Sequence, residues 1–288
     1  MKPSAECAFC IVRWLYERAA EDVSERERFE FMKRILNVLS ADFHSTANLG
    51  MVCNKTIDSV YDFTSACPNY YAELKSKSNQ FVRGLLPAAK DFISKGKTSR
   101  ERFERACSLA SAGNVAPIGA PSDGLAFHEV QGIIEGNNPL PLLMGDIYEA
   151  VQGASQILYA TDNAGEIGFD SLLIVQLKEM GLKVNLVLRG PHLFEDAAME
   201  DATFFGLDKL VDNIFTTKGL FVPSESSPPL AEAFTQSDLI ISKGTGNFEA
   251  LKDGVEGKPI IYMLKIKCAP IAEKVEADIG SFIVELNQ

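Results

Sequence analysis

Carboxylate and carboxamide side chains follow an apolar segment near the middle of the chain. The stretch ILYATDNAGEIGFD, residues 157–170, places Asp162 and Asn163 after the apolar residues, and Glu166 follows three positions later. Such oxygen ligands suit Mg²⁺ or Mn²⁺ better than soft metals. The same spacing suits a helix start, with Asp162 or Asn163 as the N-cap and Glu166 as its capping-box partner. Taken alone, this stretch favours capping over a metal site.

A second acidic loop follows the next apolar run. The stretch VLRGPHLFEDAAMED, residues 187–201, contains Arg189, His192, Asp196 and Asp201. A carboxylate in this loop is expected at the same sheet edge as Asp162, so the two could share one cation. Capping of the following helix by Asp196 is the alternative.

A third loop combines a lysine with glycines. In ISKGTGNFEAL, residues 241–251, Lys243 supplies a cation, while Gly244 and Gly246 allow the backbone to approach a ligand. The loop lacks the spacing of a P-loop, and no G-x-G-x-x-G follows a predicted strand, which disfavours a nicotinamide enzyme. Capping accounts for each of the first two loops, but not for the lysine and glycines of the third. Together the three loops favour a metal and phosphate site.

The elements that must position these loops alternate between strands and helices. Apolar, β-branched runs predict strands at 155–161, 183–189, 211–217, 238–244 and 258–265, and a helix over 167–181 separates the first two. This alternation predicts an α/β fold with a doubly wound, mostly parallel sheet. Ligands bind such sheets at the carboxyl ends of the strands, where all three loops begin.

The first half of the chain has the apolar spacing of amphipathic helices. Helices are predicted over residues 6–20, 25–43, 54–66, 71–96 with a break near Pro87, 99–115 and 140–154, and a loop rich in glycine and proline over 113–124. The change in character near 145–155 predicts an all-helical domain at residues 1–150 and a Rossmann-like α/β domain at residues 151–288.

Composition narrows the classes of partner. The net charge of −11 disfavours broad binding to nucleic acid, because no strong basic patch offsets it. No run reaches the roughly 18 apolar residues of a membrane span, and the first residues lack the order of a secretory signal, so we expect a cytoplasmic protein that does not bind membranes. An oligomer is not predicted.

The cysteines leave two interpretations open. Cys7 and Cys10 form a C-x-x-C, whereas Cys53 and Cys67 lie fourteen positions apart and do not form a second tight pair. Buried apolar thiols are therefore favoured over a metal or redox site.

Three motifs, in this order, resemble those of the damage-control phosphatases: TDNAGE at 161–166, ED at 195–196 and SKGTGNFEAL at 242–251. The resemblance covers most of the chain, including the early C-x-x-C. It implies one divalent cation held by Asp162, Asn163 and Asp196, with Asp201 as a rival for the third position. Mg²⁺, Mn²⁺, Co²⁺ and Ni²⁺ are the candidate ions.

The same resemblance implies further site residues. Lys243 is expected near the substrate phosphate and Glu166 beside the metal pair, both with catalytic roles; substrate contacts are expected from Gly246, Asn247, Asn114 and Arg189. Asn114 would lie over the cleft. Pro117 stands where the family often has an aspartate, so the contribution of the helical part is open.

The implied activity is hydrolysis of phosphate monoesters of small metabolites, such as sugar phosphates or phosphorylated cofactor fragments. Attack by water and attack by Asp162 both remain open. The alternative function is a regulatory module that binds a phosphometabolite or nucleotide without turnover. Methyl transfer to acidic side chains is disfavoured, because no glycine-rich loop follows the first strand.

Overall fold

A single mixed sheet organises the chain. The computed structural model describes residues 1–19, 23–64, 68–117, 125, 127–190 and 193–287. The sheet contains β1 (Leu142–Met144), β2 (Gln156–Ala160), β3 (Lys183–Arg189), β4 (Asn213–Thr217), β5 (Leu239–Lys243), β6 (Ile260–Lys265) and β7 (Phe282–Asn287). Cys67, His192 and residues 118–124 of the predicted loop lie outside the described residues.

The strand order is β1-β7-β6-β5-β2-β3-β4, and every pair is parallel except β6 with β7. The five predicted strands are confirmed, as is the α/β class with a mostly parallel sheet. The order reverses between β2 and β5, because the chain winds from β2 through β3 to β4 and then returns to β5 on the other side of β2. Such a switch point is where doubly wound sheets bind ligands.

Helices surround the sheet. They are α1 (Glu6–Ala19), α2 (Glu25–Asp42), α3 (Leu49–Ser59), α4 (Tyr61–Thr64), α5 (Pro68–Ser94), α6 (Ser99–Ala112), α7 (His128–Glu135), α8 (Ile147–Gln152), α9 (Glu166–Glu179), α10 (Met199–Phe204), α11 (Pro228–Gln236), α12 (Gly244–Leu251) and α13 (Ala269–Val275), with short 3₁₀ turns at Leu207–Lys209 and Pro223–Glu225. In the parts of the chain described, no helix is long and apolar enough to cross a bilayer.

Two helix predictions were wrong. The predicted break at Pro87 is absent, because α5 continues through it. Val82 and Ala89, on either side of Pro87, are fully buried where α5 packs against α6 and α9. This packing offsets the few kcal/mol that an internal proline costs. The predicted helix over 140–154 begins as strand β1, and only its second part, α8, is helical.

The sheet separates two hydrophobic cores. Along β2, Ile157 and Tyr159 join one core, whereas Leu158 and Ala160 join the other. Helices α5, α6 and α9 cover the first face, and α1, α3 and α12 contribute to the second. Helices from the first half of the chain therefore pack on both faces. The described residues before β1 form helices and their connections, and the division at residue 150 stays a prediction.

Candidate active site

A cavity of about 280 Å³ opens at the carboxyl ends of β2 and β5. Asp162 and Asn163 line it from the loop after β2, Asp196 from the loop after β3, and Gly246 from the first turn of α12. Helix α1 forms the facing wall. The cavity therefore lies at the topological switch point, where the sequence places the three loops.

Hydrogen bonds fix Asp162 and Asn163 at the end of β2. Asn163 Nδ2 donates to Asp162 Oδ2 at 2.7 Å and to Glu166 Oε2 at 2.9 Å. Asn114 Nδ2 donates to the same Asp162 oxygen at 2.8 Å. In the described part of the chain, no donor bonds the side-chain oxygen of Asn163, Oδ1. This oxygen is therefore available to a ligand.

Asp196 is held beside this pair by the backbone. Asn163 and Asp196 form an isolated antiparallel bridge, and the amide of Ala197 donates to the carbonyl oxygen of Asp162 at 2.8 Å. Arg189 Nε donates to Asp196 Oδ2 at 2.8 Å from behind. Burial raises the pKa of Asp196 to about 7, although the Arg189 guanidinium opposes this shift.

The rival carboxylate, Asp201, is used elsewhere. Its Oδ2 accepts a hydrogen bond from the amide of Ala198 at the start of α10, and its Oδ1 accepts one from Asn79 Nδ2 at 2.7 Å. Of the two candidates, Asp196 alone lines the cavity.

Capping does not explain these acids. Gly165 is the N-cap of α9, and Ala198 is the N-cap of α10, so Asp162, Asn163 and Asp196 all lie outside the cap positions. What they offer the cavity is two carboxylates and one amide oxygen. This hard donor set fits a cation such as Mg²⁺ or Mn²⁺.

Gly244 leaves the space that Asp162 occupies. Its φ is +76°, and a Cβ atom there would lie 2.0 Å from Asp162 Oδ2. We expect Gly244→Ala to lower the activity of this site by about 100-fold, because displacement of a group at a reaction site by roughly 1 Å costs that much. Turnover and Mn²⁺ affinity are the measurements.

Gly257→Ala is the matched control for this prediction. Gly257 also has a positive φ, +69°, but a Cβ atom there meets nothing within 4 Å. Both variants carry the backbone strain, and only Gly244→Ala displaces Asp162. Equal turnover in the two variants would show that Gly244 matters only for its backbone.

Lys243 lies beneath the cavity. Its side chain is 0% exposed, and Nζ donates to Glu166 Oε1 and Asp170 Oδ1, both at 2.6 Å, and to the carbonyl oxygen of Ala110 at 2.7 Å. Desolvation alone would lower the pKa of Lys243, but Asp170 and Glu166 outweigh it and hold this pKa above its usual value. All three ammonium protons are therefore used within the protein.

The expectation that Lys243 contacts the phosphate does not fit this placement. The ammonium would have to leave two buried carboxylates to do so. Its contacts instead neutralise Glu166, which accepts the Nδ2 hydrogen bond of Asn163 and so leaves Asn163 Oδ1 for the cavity.

Four other predicted site residues are also buried below the cavity lining. Glu166, Asn114 and Asn247 are 0% exposed, and Arg189 is 1% exposed. Asn247 Nδ2 donates to the carbonyl oxygens of Thr161 and Lys243, and its Oδ1 accepts from Arg189 Nη2 at 2.7 Å. The substrate contacts predicted for Asn114, Asn247 and Arg189 do not fit this placement, because the polar groups of these side chains bond neighbouring protein groups. They support the loops that carry Asp162 and Asp196.

Comparison with known proteins gives the family. A family model described as the damage-control phosphatase ARMT1-like domain matches residues 4–282. The chain belongs to this family. A damage-control phosphatase of Archaeoglobus fulgidus is 28% identical over 99% of both chains, and one of Pyrococcus horikoshii is 29% identical over 100% of this chain and 99% of its own length.

An uncharacterised protein of Methanocaldococcus jannaschii is 30% identical, over 99% of this chain and 95% of its own length. Among solved structures, a DUF89 family protein of P. horikoshii superposes with a TM-score of 0.80 at 28% identity and covers 100% of both chains. The predicted damage-control phosphatase family is confirmed.

Sequence reasoning missed one cation of the damage-control phosphatase cavity. Lys267 lines the cavity just after β6, and no hydrogen bond or ion pair engages it among the described residues. Burial lowers the pKa of Lys267, and the carboxylate of Asp162 is the first group that opposes this shift. The sequence could have indicated Lys267, because it follows the end of a predicted strand by two residues and so lies at the same sheet edge.

Asp170 lies in the first acidic stretch, but nothing else in the sequence required it at the site. It is 0% exposed and accepts hydrogen bonds from Lys243 and from Tyr159 Oη, the latter at 2.8 Å. Burial raises the pKa of Asp170 to about 6, while Lys243 opposes. The sequence could have indicated Asp170, because it follows Glu166 by one helical turn and both acids therefore lie on one side of α9.

The C-x-x-C thiols lie in the same cavity. Cys7 and Cys10 line it from α1, and Cys53 and Cys268 join them there. Across the described ranges, no three His, Cys, Asp or Glu side chains are arranged to hold one metal ion. Burial raises the pKa of Cys10 to about 12, so this thiol is protonated at neutral pH.

Proposed function

We propose that this chain is a divalent-metal-dependent phosphatase that hydrolyses phosphate monoesters of small metabolites, such as sugar phosphates or phosphorylated cofactor fragments. Membership of the damage-control phosphatase family supports this proposal. The structural observation that carries it is the convergence of Asp162, Asn163 and Asp196 with Lys267 in one cavity. This arrangement offers a cation site and a free ammonium to the same ligand.

The charge of a phosphate monoester dianion opposes attack, so catalysis requires neutralisation and alignment. A divalent cation bound by Asp162, Asn163 and Asp196 would supply much of that neutralisation. Lys267 is placed to bind another phosphate oxygen. Thr245 and Gly246 line the cavity from the first turn of α12, where helical N–H groups lack partners within the helix and can receive an anion.

The buried residues hold this arrangement in place. Asn114 and Asn163 fix one oxygen of Asp162, and in the described residues its other oxygen, Oδ1, accepts no protein hydrogen bond. Glu166 fixes the amide of Asn163, and Lys243 neutralises Glu166. Asp162 Oδ1 is thus free either to hold the cation or to attack phosphorus. Rapid-quench trapping of a phosphorylated Asp162 would demonstrate the second role.

Lys267→Ala is expected to lower kcat/KM for phosphate esters by about 10- to 100-fold, because one charge-assisted contact to the phosphate is lost. The melting temperature should not fall, since the variant removes a desolvated cation without a bonded partner. Steady-state kinetics and thermal melts measure the two effects.

Lys265→Ala is the control variant, and Lys265 is suited to this purpose. It lies two residues away, and its ammonium pairs with Glu129 at 2.9 Å rather than facing the cavity. Unchanged kcat/KM in Lys267→Ala, or an equal loss in Lys265→Ala, would remove Lys267 from the phosphate site.

A panel of metabolite phosphates tests the proposed substrate class. The protein is depleted of metal with a chelator, and phosphate release is measured after addition of Mg²⁺, Mn²⁺, Co²⁺ or Ni²⁺. Hydrolysis of small phosphate monoesters with at least one of these ions is the expected result. Tight binding of a sugar phosphate without turnover with any ion would instead support the non-catalytic binding module.

A further inference from the structure

The cavity has a second end that the proposed phosphate chemistry does not use. This thiol end consists of Cys7, Cys10, Cys53, Cys268 and Trp14, and Glu249, on α12, lines the same cavity. Protonated thiols and an indole ring form a largely apolar wall. Glu249 is therefore an acid placed against apolar surface.

Glu249 differs from the other acids of the cavity that are shielded from solvent. Asp162 accepts hydrogen bonds from Asn114 and Asn163, and Asp196 accepts one from Arg189. The carboxyl of Glu249 has neither a hydrogen bond nor an ion pair in the described part of the chain. The amino terminus bonds its backbone carbonyl, not its side chain.

Desolvation of this carboxyl is not offset by a bonded partner. Burial raises the pKa of Glu249 to about 7, while the charges of the amino terminus and Lys267 oppose the shift. A polar group desolvated without a partner destabilises the fold. Such groups cluster at functional sites, where a ligand supplies the missing partner.

Position places Glu249 at the thiol end of the cavity. It lies on α12, which packs against α3, the helix that carries Cys53, and its backbone carbonyl oxygen accepts a hydrogen bond from the amino terminus, which precedes α1. Burial raises the pKa of all four thiols, and the charge of Glu249 adds to this shift. Burial and then Glu166 raise the pKa of Asp162, whereas Lys267 lowers it. Lys267 is thus the cation that acts on both Asp162 and Glu249. A phosphate held near Lys267 and Asp162 leaves Glu249 facing the remainder of the substrate.

We propose that Glu249 is a specificity-determining residue that binds a hydrogen-bond donor on the non-phosphate part of the substrate. This inference rests on the proposed function and narrows its substrate class. The substrate is then a phosphate ester whose other end carries a donor, most favourably an ammonium or N–H group, beside an apolar surface. An ionised Glu249 repels a phosphate at this end and so fixes the direction in which the substrate enters.

Binding of two non-hydrolysable phosphonates, measured by calorimetry with Mn²⁺ present, tests the inference. The probes are 3-(aminomethyl)benzylphosphonate and 3-methylbenzylphosphonate, which have similar size and differ in the donor. The wild-type protein should bind the ammonium compound at least about 10-fold more tightly, as expected for a charge-assisted contact. Glu249→Gln should reduce this difference to less than about threefold while retaining the binding of the methyl compound.

Glu6→Gln is the matched control, since Glu6 lines the same cavity but is exposed. It should keep the preference for the ammonium compound. Glu249→Gln should melt at or above the wild-type temperature, because a neutral amide replaces a desolvated acid, so loss of fold cannot imitate the result.

Three results would overturn the inference: equal affinities in the wild type, a preference that survives in Glu249→Gln, or an equal loss in Glu6→Gln. Failure of the wild type to bind either phosphonate would also overturn it. A Glu249-dependent preference in a protein that hydrolyses no phosphate ester would support this recognition role and would contradict the proposed hydrolysis.

Discussion

Asp162→Ala is expected to lower metal-stimulated phosphate-ester turnover by about 10³-fold or more, because it removes a proposed cation ligand whose Oδ1 accepts no hydrogen bond among the described residues. The fold should persist. Burial raises the pKa of Asp162, so its ionised form is desolvated and its removal relieves part of that cost. Turnover with Mn²⁺ and circular dichroism are the measurements.

Glu200→Ala serves as the control for this variant. Glu200 is an exposed acid near Asp196, on α10, and should leave turnover unchanged. A folded Asp162→Ala protein with wild-type turnover would contradict the metal assignment. If Asp162→Ala does not fold, circular dichroism will show it. Asp162→Asn, which keeps the size of the side chain, then replaces it in the same turnover comparison.

Lys243→Met is expected to lower the free energy of unfolding by about 3–5 kcal/mol, the usual cost of leaving a buried charge unpaired. Glu166 and Asp170 both bond this ammonium, and all three side chains are fully buried. Removal of the cation leaves two desolvated carboxylates side by side. Urea denaturation at pH 7 measures the loss.

The pH dependence gives this prediction a definite sign. Burial raises the pKa of Asp170 to about 6 even though Lys243 opposes, and without the lysine it should rise further. An acid whose pKa is raised by folding destabilises the protein at pH values above its unfolded pKa, and increasingly so as pH rises through that window. The deficit of Lys243→Met should therefore be smaller at pH 5 than at pH 8.

The double variant Lys243→Met/Asp170→Asn is the control. It should recover part of the lost stability, because the two residues are in contact and their effects are not additive. Wild-type stability of Lys243→Met together with a KM raised by tenfold or more would contradict the buried role. That result would restore the direct phosphate contact implied by the sequence resemblance.

Much of the site's location could be predicted from local patterns. Apolar, β-branched runs identify β2 to β6, and the carboxyl-end rule then brings Asp162, Asn163 and Asp196 to one sheet edge. The loop glycine Gly244 was also readable as a point of close approach. These predictions depend on neighbouring residues and on the parallel sheet alone.

Side-chain direction depends on residues far away in sequence. Lys243 ends a strand at the predicted edge, but Asp170 on α9 and the Ala110 carbonyl on α6 draw its ammonium under the cavity. For the same reason the sequence does not show that the carboxyl of Glu249 lacks a bonded partner. That property depends on α1 and α3, which pack around the thiol end and are distant in sequence. Strand β1 was not predicted, because three residues are too few to show the alternation of apolar and polar side chains that indicates a strand. Its pairing with β7, far away in sequence, decides its conformation.

Mn²⁺ titration of the chelated protein, followed by paramagnetic resonance together with phosphate release, tests the central claim most directly. One equivalent of Mn²⁺ should bind and restore turnover in the same titration, and Asn163→Ala should weaken both by about 10- to 100-fold, as loss of one ligand or its support does. Turnover that is complete without bound metal, or Mn²⁺ binding that Asn163→Ala and Asp196→Ala leave unchanged, would contradict it.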